Sequence, residues 1–385
     1  MRKVLTVFGT RPEAIKLAPI LVELNKYPAI KSRICVTAQH REMLDQVLRL
    51  FAITPDIDLD LMRAGQTLAE ITSRVVSGID AVLQEEAPDI VLVQGDTTTV
   101  MAAALAAFYR GIPVGHVEAG LRSGDISSPF PEEMNRRVAT LISGLHFAPT
   151  DAAMQALIQE GVHEDRVFLT GNPVIDALQM TVNKPLPLAA AELLQQAGLD
   201  GGIDGGGNTL KLILATAHRR ENFGERFESL CRGLKSLVER NPDVVIIYPV
   251  HLNPNVQKPV MRILAGQERI ILTKPMEYDV LAHLMKAAYI VLTDSGGIQE
   301  EAPSLGKPVL VMRTETERPE GIEAGTAKLV GPFEDRIVAE TETLLRDPAA
   351  YEKMAKAVNP YGDGHAAEKI VAIILKYLQN SDGCS

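Results

Sequence analysis

Three carboxylates stand where short apolar runs end. They are Asp96 in Gln94-Gly95-Asp96-Thr97-Thr98-Thr99, Glu118 in His116-Val117-Glu118-Ala119-Gly120, and Glu132 in Ser128-Pro129-Phe130-Pro131-Glu132-Glu133. Carboxylates gathered in one cleft repel each other, which raises some of their pKa values. One can then serve as a protonated acid and another as a base near neutral pH. Asp96 suits equally well the N-cap of a helix starting near Thr98. An acid pairing with Arg136 or Arg137 fits Glu133 better than Glu132. Cations mark other run ends. Phe8-Gly9-Thr10-Arg11-Pro12-Glu13, with Lys16 one turn further on, sets Arg11 and Lys16 beside a helix N-terminus. Its amides can meet an anion or simply face solvent. Ala217-His218-Arg219-Arg220 is a second cationic group, in which a histidine can protonate or stabilise a departing phosphate. His251, in Tyr248-Pro249-Val250-His251, ends another run and serves as a ligand contact or a structural histidine.

The most specific local pattern is Asp294-Ser295-Gly296-Gly297-Ile298-Gln299-Glu300-Glu301-Ala302. A strand, a Ser-Gly-Gly turn and a helix start follow in order, so that Ser295, Gly296 and Gly297 let backbone amides approach a phosphate or pyrophosphate. Glu301, about one turn in, can accept hydrogen bonds from two ribose hydroxyls, whereas Glu300 points elsewhere. Arg318 sits in the acidic loop Thr314–Glu320 and either is salt-bridged or meets a diphosphate. No HExxH, EF-hand, CxxC or GxSxG pattern is present, so metal and serine-nucleophile chemistry have no support in the sequence.

These positions need elements to hold them. Near-continuous apolar strands are expected at Lys3–Phe8, Arg33–Thr37, Ile90–Gln94, Pro113–Glu118, Leu145–Ala148 and Val167–Leu169. Amphipathic helices fall between them at Ala14–Leu24, Leu44–Phe51, Leu68–Glu85 and Val100–Tyr109. The alternation then repeats, with strands at Lys211–Ala215, Val244–Pro249, Ile270–Leu272, Ile290–Thr293 and Pro308–Met312 and helices at Phe227–Arg240, Val280–Ala288, Ile298–Ser304 and Arg336–Leu345. The pattern predicts an α/β protein of two doubly wound parallel-sheet domains. The boundary lies between Gly171 and Pro187, dividing residues 1–172 from 173–365. Gly198–Asn208 reads as a flexible loop and Ala366–Leu378 as a closing helix. Ligands of open α/β sheets bind beyond the carboxyl ends of the strands, so the natural site is the cleft between two such sheets.

Composition limits the alternatives. The 385 residues carry 39 Lys and Arg against 49 Asp and Glu, a formal charge of −10. That argues against a broad basic surface for nucleic acid, and the 9 Phe, 8 Tyr and absence of Trp argue against a base-stacking platform. Net charge does not exclude a small cationic pocket. Three cysteines without short spacing imply neither a disulfide framework nor a cysteine zinc site. No apolar stretch approaches about 18 residues and the N-terminal run is too short for a signal peptide, so a cytoplasmic protein with no membrane span is expected.

Taken in order, Phe8–Lys16, Thr37–Arg41, Gly95–Thr99, His116–Arg122, Pro131–Glu133, Gly171–Asp176, Asp294–Glu301 and Thr316–Glu320 resemble the non-hydrolysing UDP-N-acetylglucosamine 2-epimerases, from Lys3 to about Gly364. The resemblance implies a GT-B architecture, with two Rossmann-like domains around a deep cleft and a final helix, about 366–380, returning to the first. It implies a homodimer and reversible conversion of UDP-GlcNAc to UDP-ManNAc without a cofactor. In that family UDP is lost by anti elimination across C1–C2, giving 2-acetamidoglucal, and adds back with protonation at C2 from the opposite face. Carried over by position, Asp96, Glu118 and Glu132 are the acid/base group, with the proton-abstracting member left open, and His218 assists at the leaving diphosphate. Arg11 and Lys16 reach the sugar diphosphate, Ser295, Gly296 and Gly297 cradle it, Glu301 holds ribose and Arg318 adds charge.

There are departures from the family pattern. Met276 and Leu281 stand near the uracil, where many bacterial members have Gln and an aromatic. Some members bind a second UDP-GlcNAc as an activator. Gln39, Gln66, Arg219 and His251 match that site, whereas Glu42 replaces a Gln and Gly65 an Arg, which leaves activation open. Other enzyme classes also remain: a hydrolysing relative that releases ManNAc and UDP, or a glycosyltransferase, which would need an acceptor site. A catalytically silent nucleotide-sugar binding protein is disfavoured by the joint presence of Asp96, Glu118, Glu132 and His218.

Overall fold

The computed structural model describes residues 1–37, 41–61, 63, 65–199 and 210–380, with the side chains at 41 and 42 excepted. The glycine-rich stretch Gly198–Asn208 lies, from residue 200 on, outside the described residues. Two compact units are present: Met1–Ala177 with Tyr361–Ser385, and Leu178–Pro360.

The first unit holds β1 (Arg2–Phe8), β2 (Ile30–Val36), β3 (Ile57–Asp58), β4 (Ile90–Gln94), β5 (Val114–Val117), β6 (Leu145–Ala148) and β7 (Val167–Leu169), in the spatial order β3-β2-β1-β4-β5-β6-β7. The second holds β8 (Lys211–Thr216), β9 (Val244–Pro249), β10 (Ile270–Thr273), β11 (Ile290–Thr293), β12 (Val309–Val311) and β13 (Ala327–Leu329), in the order β10-β9-β8-β11-β12-β13. Every pairing is parallel. Parallel neighbours need long crossovers, and the helices in those crossovers cover both faces of the sheet. In the second unit Ile213, Ala215, Ile246 and Tyr248 enter one core with the helices Glu225–Arg240 and Glu334–Arg346. Their neighbours Leu212, Leu214, Val245 and Ile247 enter another with Leu188–Gln196 and Tyr278–Ala287. Successive strand residues are therefore buried on opposite faces, which is why the strands read as continuous apolar runs.

The strand order reverses between β1 and β4 in the first unit and between β8 and β11 in the second. Such reversals open a crevice at the carboxyl ends of the strands. In the second unit the reversal is locked by Thr216 against Thr293, whose hydroxyl oxygens lie 2.7 Å apart.

The expected elements and the observed ones agree in their centres. The edge strands β3 and β13 were not expected, since each short run is broken by a charged residue, Asp58 or Lys328, and neither were the helices Asp151–Gln159, Pro173–Val182 and Pro254–Leu264. The final helix, Ala366–Asn380, packs against Arg11–Leu24. Its first amides, on Ala366 and Ala367, donate to the Asp176 carboxylate at 3.2 and 2.8 Å. Among the described residues no helix is long and apolar enough to cross a membrane.

Candidate active site

At the reversal in the first unit, the turns after β1, β4 and β5 line a cavity of about 470 Å³. Arg11, Lys16, Asp96, Glu118 and Glu132 all border it, so the residues expected from the first half of the chain to handle protons or meet the sugar diphosphate converge there. The turn after β1 is tightly packed. A Cβ on Gly9 would lie 2.2 Å from the Thr37 hydroxyl, so only glycine fits.

Each carboxylate has a different setting. Glu118 follows β5 with φ +61°, a conformation that costs a non-glycine residue energy and persists only where its surroundings hold it. The holding groups are visible. Lys16 Nζ donates to Glu118 Oε1 at 2.5 Å, Asn172 Nδ2 donates to the same oxygen at 2.9 Å, and Gln94 Nε2 donates to Oε2. Asp96 accepts from the Arg136 guanidinium, and its carbonyl accepts from Asn135 Nδ2 at 2.9 Å. It is not the N-cap of the next helix. Thr97 takes that place, its hydroxyl accepting from the Val100 amide at 3.3 Å. Glu132 opens the helix Glu132–Ile142, where the positive end of the helix dipole favours an anion, and no ion pair involves it among the described residues. The cluster is thus not a set of bare, mutually repelling acids, as the spacing suggested. Two of the three have their own cation, and the third has a helix end. Glu133, by contrast, is buried and pairs with Arg136 at 3.2 Å and Arg137 at 3.0 Å, which is a structural role.

The N-terminus of Arg11–Leu24 is not left open to an anion. Glu13 turns back and accepts from the Gly9 and Thr10 amides at 2.9 and 2.6 Å, while Thr10 accepts from the Glu13 amide and Pro12 has no amide to offer. Thr97 Oγ1 also donates to Glu13 at 2.6 Å, tying the turn after β4 to the turn after β1. Burial pushes the Glu13 carboxyl up despite these donors. His116, in β5, lies fully inside, where desolvation lowers its pKa to about 4. The neutral ring donates from Nε2 to the Gly95 carbonyl at 2.7 Å, bracing the strand end before Asp96.

At the reversal in the second unit, Asp294 is fully buried after β11. One of its carboxylate oxygens accepts from the amides of His218 and Arg219, both at 2.8 Å. The other oxygen lies 3.4 Å from His218 Nδ1, outside hydrogen-bond geometry, and has no hydrogen-bond donor among the described residues. The His218 ring stacks on His251 at 5.4 Å between centroids. The His218 pKa is lowered, first by desolvation and further by Arg219 and His251, with Asp294 opposing. The helix Gly296–Ser304 starts without a side-chain cap from Ser295. Glu317 crowds its first turn: a Cβ on Gly296 would lie 2.8 Å from the Glu317 carboxylate, which pairs with Arg219 at 3.0 Å and with Arg313.

Glu301 accepts from the Tyr278 hydroxyl at 2.8 Å, and Met276 and Leu281 pack half-buried against the core beside the same helix. Glu300 does point away from Glu301, because it is paired with Arg318. That pairing changes the expectation for Arg318. Its Nε donates to Glu300 and its Nη1 to the Glu317 carbonyl at 3.1 Å, so the guanidinium is engaged within the protein. Gln66 accepts from the Arg63 amide at 2.5 Å, and His251 Nδ1 accepts from the Asn253 amide at 3.1 Å. Gln39 and the Glu42 side chain, expected at a second ligand site, lie outside the described residues.

Several residues of the site were not singled out from the sequence: Glu13, Gln94, Arg136, Asn172, Tyr278, Asp294 and Glu317. For Glu13 a signal existed, since Thr10-Arg11-Pro12-Glu13 has the Thr-x-x-Glu spacing of a capping box. For the others the partner lies in a distant part of the chain.

Comparison with known proteins agrees with this geometry. The family model described as UDP-N-acetylglucosamine 2-epimerase matches residues 22–375. The chain is 55% identical over 381 residues to the UDP-N-acetylglucosamine 2-epimerase of Yersinia pestis, covering 98% of each. Among solved structures, it resembles the Neisseria meningitidis UDP-GlcNAc 2-epimerase bound to UDP-GlcNAc (TM-score 0.85, 49% identity, 97% of this chain and 100% of that one). It also resembles S. aureus MnaA solved with UDP (TM-score 0.86, 46% identity, 98% and 97%).

Proposed function

Because the chain belongs to the UDP-N-acetylglucosamine 2-epimerase family, we propose that it is an isomerase interconverting UDP-GlcNAc and UDP-ManNAc at C2 of the sugar. The observation that carries this is the convergence of Asp96, Glu118 and Glu132 on one cavity at a sheet reversal. Inversion at C2 takes a proton from one face and returns one to the other, so it needs more than one proton-handling group. The C2 proton is only weakly acidic, and its removal is eased when a diphosphate departs from C1 in the same elimination. The intermediate is then 2-acetamidoglucal with UDP, and re-addition completes the cycle.

The residues divide the work. Asp96, Glu118 and Glu132 handle protons on the sugar, and Arg11 and Lys16 add positive charge there. On the second unit the uncapped amides of Gly296 and Gly297 suit the diphosphate, with Ser295, whose own amide donates to the Thr293 hydroxyl at 3.0 Å, forming the turn before them; Glu301 suits the ribose, and Met276 and Leu281 offer an apolar wall to the uracil. His218, held at its backbone amide by Asp294 and stacked on His251, sits beside this turn to protonate or stabilise the leaving diphosphate. Arg318 joins only by exchanging Glu300 for a phosphate oxygen.

In deuterated water, with UDP-GlcNAc and neither metal nor nicotinamide added, the protein is expected to form UDP-ManNAc carrying deuterium at C2. Free ManNAc as the main product would assign the chain to the hydrolysing class, and no exchange at C2 would overturn both. The family reading also brings a homodimer, a cytoplasmic location and a second UDP-GlcNAc acting as activator near Gln39, Glu42, Gln66, Arg219 and His251. Sedimentation at micromolar concentration tests the first. A sigmoidal dependence of rate on UDP-GlcNAc, turning hyperbolic in Gln66→Ala, tests the last.

A further inference from the structure

Asn172 makes contacts that the epimerisation scheme leaves unused. It is buried, it lies just before the chain passes from the first unit into the second, and it is bound on three sides. Its amide donates to the Tyr361 carbonyl at 2.7 Å, at the point where the chain returns to the first unit. Its Oδ1 accepts from the Val174 amide at 3.2 Å, in the first turn of Pro173–Val182. Its Nδ2 donates to Glu118 Oε1 at 2.9 Å. The packing around it is close, since a Cβ on Gly171 would lie 3.2 Å from Gly362 Cα. One residue therefore joins the outgoing passage and the positive-φ carboxylate of the cavity through its side chain, and the returning passage through its backbone amide.

We infer that Asn172 is a positioning residue for the reaction, orienting the Glu118 carboxylate and tying its geometry to the two passages of the chain between the units. This rests on the epimerase assignment above. Glu118, at φ +61°, is held through both carboxylate oxygens: Lys16 and Asn172 donate to one and Gln94 to the other, and of these donors Asn172 is the one outside the cavity lining. Its amide donor favours the ionised form of Glu118. The charged and titratable groups around Glu118 are Lys16 from Arg11–Leu24, His116 from β5, and Arg11, Glu13, Asp96 and Glu132 lining the same cavity. Asn172 and Gln94 are the neutral side chains that donate to Glu118.

The test separates this role from a merely structural one. Asn172→Asp keeps the size and the oxygen that accepts from the Val174 amide, but removes the donor and faces Glu118 with a like charge. In this variant kcat for C2 exchange is expected to fall at least about 10-fold. The limb of the kcat–pH profile that Glu118 governs is expected to move to higher pH by about one unit, whichever protonation state is active. The Kd for UDP alone is expected to stay within about 2-fold, because the uncapped turn is not touched. Asn172→Ala, which loses both donor and acceptor, should lower kcat too and cost thermal stability that Asn172→Asp retains. Wild-type kcat and an unmoved pH limb in Asn172→Asp overturn the inference. So does a UDP affinity that falls in parallel with kcat. Failure of the wild-type protein to exchange C2 hydrogen would instead overturn the epimerase assignment itself.

Discussion

The two units have the same sheet reversal, β2-β1-β4 in one and β9-β8-β11 in the other, yet they build opposite sites on it. In the first, the helix starts at the reversal are closed by the chain itself, by Glu13 and Thr10 after β1 and by Thr97 after β4. What remains facing the cavity are side chains, Asp96, Glu118 and Glu132 with Arg11 and Lys16 among them. In the second, the turn after β8 is closed by Asp294, but the helix after β11 begins at Gly296 without a side-chain cap. What remains there are backbone amides. The topology gives each unit a crevice. Whether the first helical turn is capped from within decides whether that crevice presents ionisable side chains for proton transfer or amides for an anion.

The sharpest way to break this division is Asp96→Asn. It is expected to lower turnover at least about 100-fold, the scale of a lost acid/base group, while leaving UDP affinity intact in calorimetry. Comparable losses of both would erase the distinction between the units. Next in size is Gly296→Ala, whose methyl would press on Glu317 and close the open turn. UDP affinity is expected to drop about 10-fold, equivalent to about 1.4 kcal/mol, with the N-terminal unit's stability unchanged. Unaltered UDP binding would show that the turn is not the anion site.

A third test uses the buried histidines of the first unit. His116 and His146 have pKa values lowered to about 4 by desolvation. Above their ordinary value near 6.5 both states are neutral and the protein keeps its full stability. As pH falls from about 6.5 towards 4, the unfolded chain takes up protons that the folded one refuses. Each histidine then costs up to about 1.4 kcal/mol per pH unit. Glu13 and Asp176, pushed up by burial, act in the opposite sense just above the ordinary carboxylate range. The diagnostic is therefore the difference between proteins: His146→Asn should show a shallower loss of urea midpoint between pH 6.5 and 5 than wild type. Parallel curves would remove His146 from the account. The smallest effect contrasts the two helix starts. Glu13→Ala should cost about 1 kcal/mol of stability through the broken capping box, whereas Ser295→Ala, which removes no cap bond, should leave the melting temperature unchanged. Equal costs would contradict the capped-versus-uncapped comparison.

Much of the fold was legible in the sequence because a doubly covered parallel sheet leaves an unusual trace, short β-branched apolar runs at regular intervals with helices between. β1, β4, β6, β9 and β11 lie where that trace placed them. β3 and β13 did not show, because Ile57-Asp58 and Ala327-Lys328-Leu329 include a charged residue and so form no apolar run, unlike the equally short edge strand β7, Val167-Phe168-Leu169. The candidate site was legible to the same degree, since strand ends can be recognised locally. Asp96 was open to two readings from the sequence, and only the Thr97 hydroxyl, already bonded to Val100, decided against its being a cap. Arg318 was open between an ion pair and a ligand contact, and Glu300, a residue expected to matter little, turned out to hold it.

The sequence by itself determined the element types, the two-fold repetition of the α/β pattern and the chemistry available at each strand end, because these depend on residues near one another in the chain. Only the tertiary structure decided which groups meet. Lys16 reaches Glu118 across 102 positions, Asn172 reaches it across 54 and Arg136 reaches Asp96 across 40. Those meetings follow from β1, β4 and β5 lying side by side in the sheet, an order set by crossover connections rather than by spacing along the chain. A carboxylate's partners fix its orientation and its hold on a proton, so the identity of the candidate acid/base residues was written locally, and their working state was not.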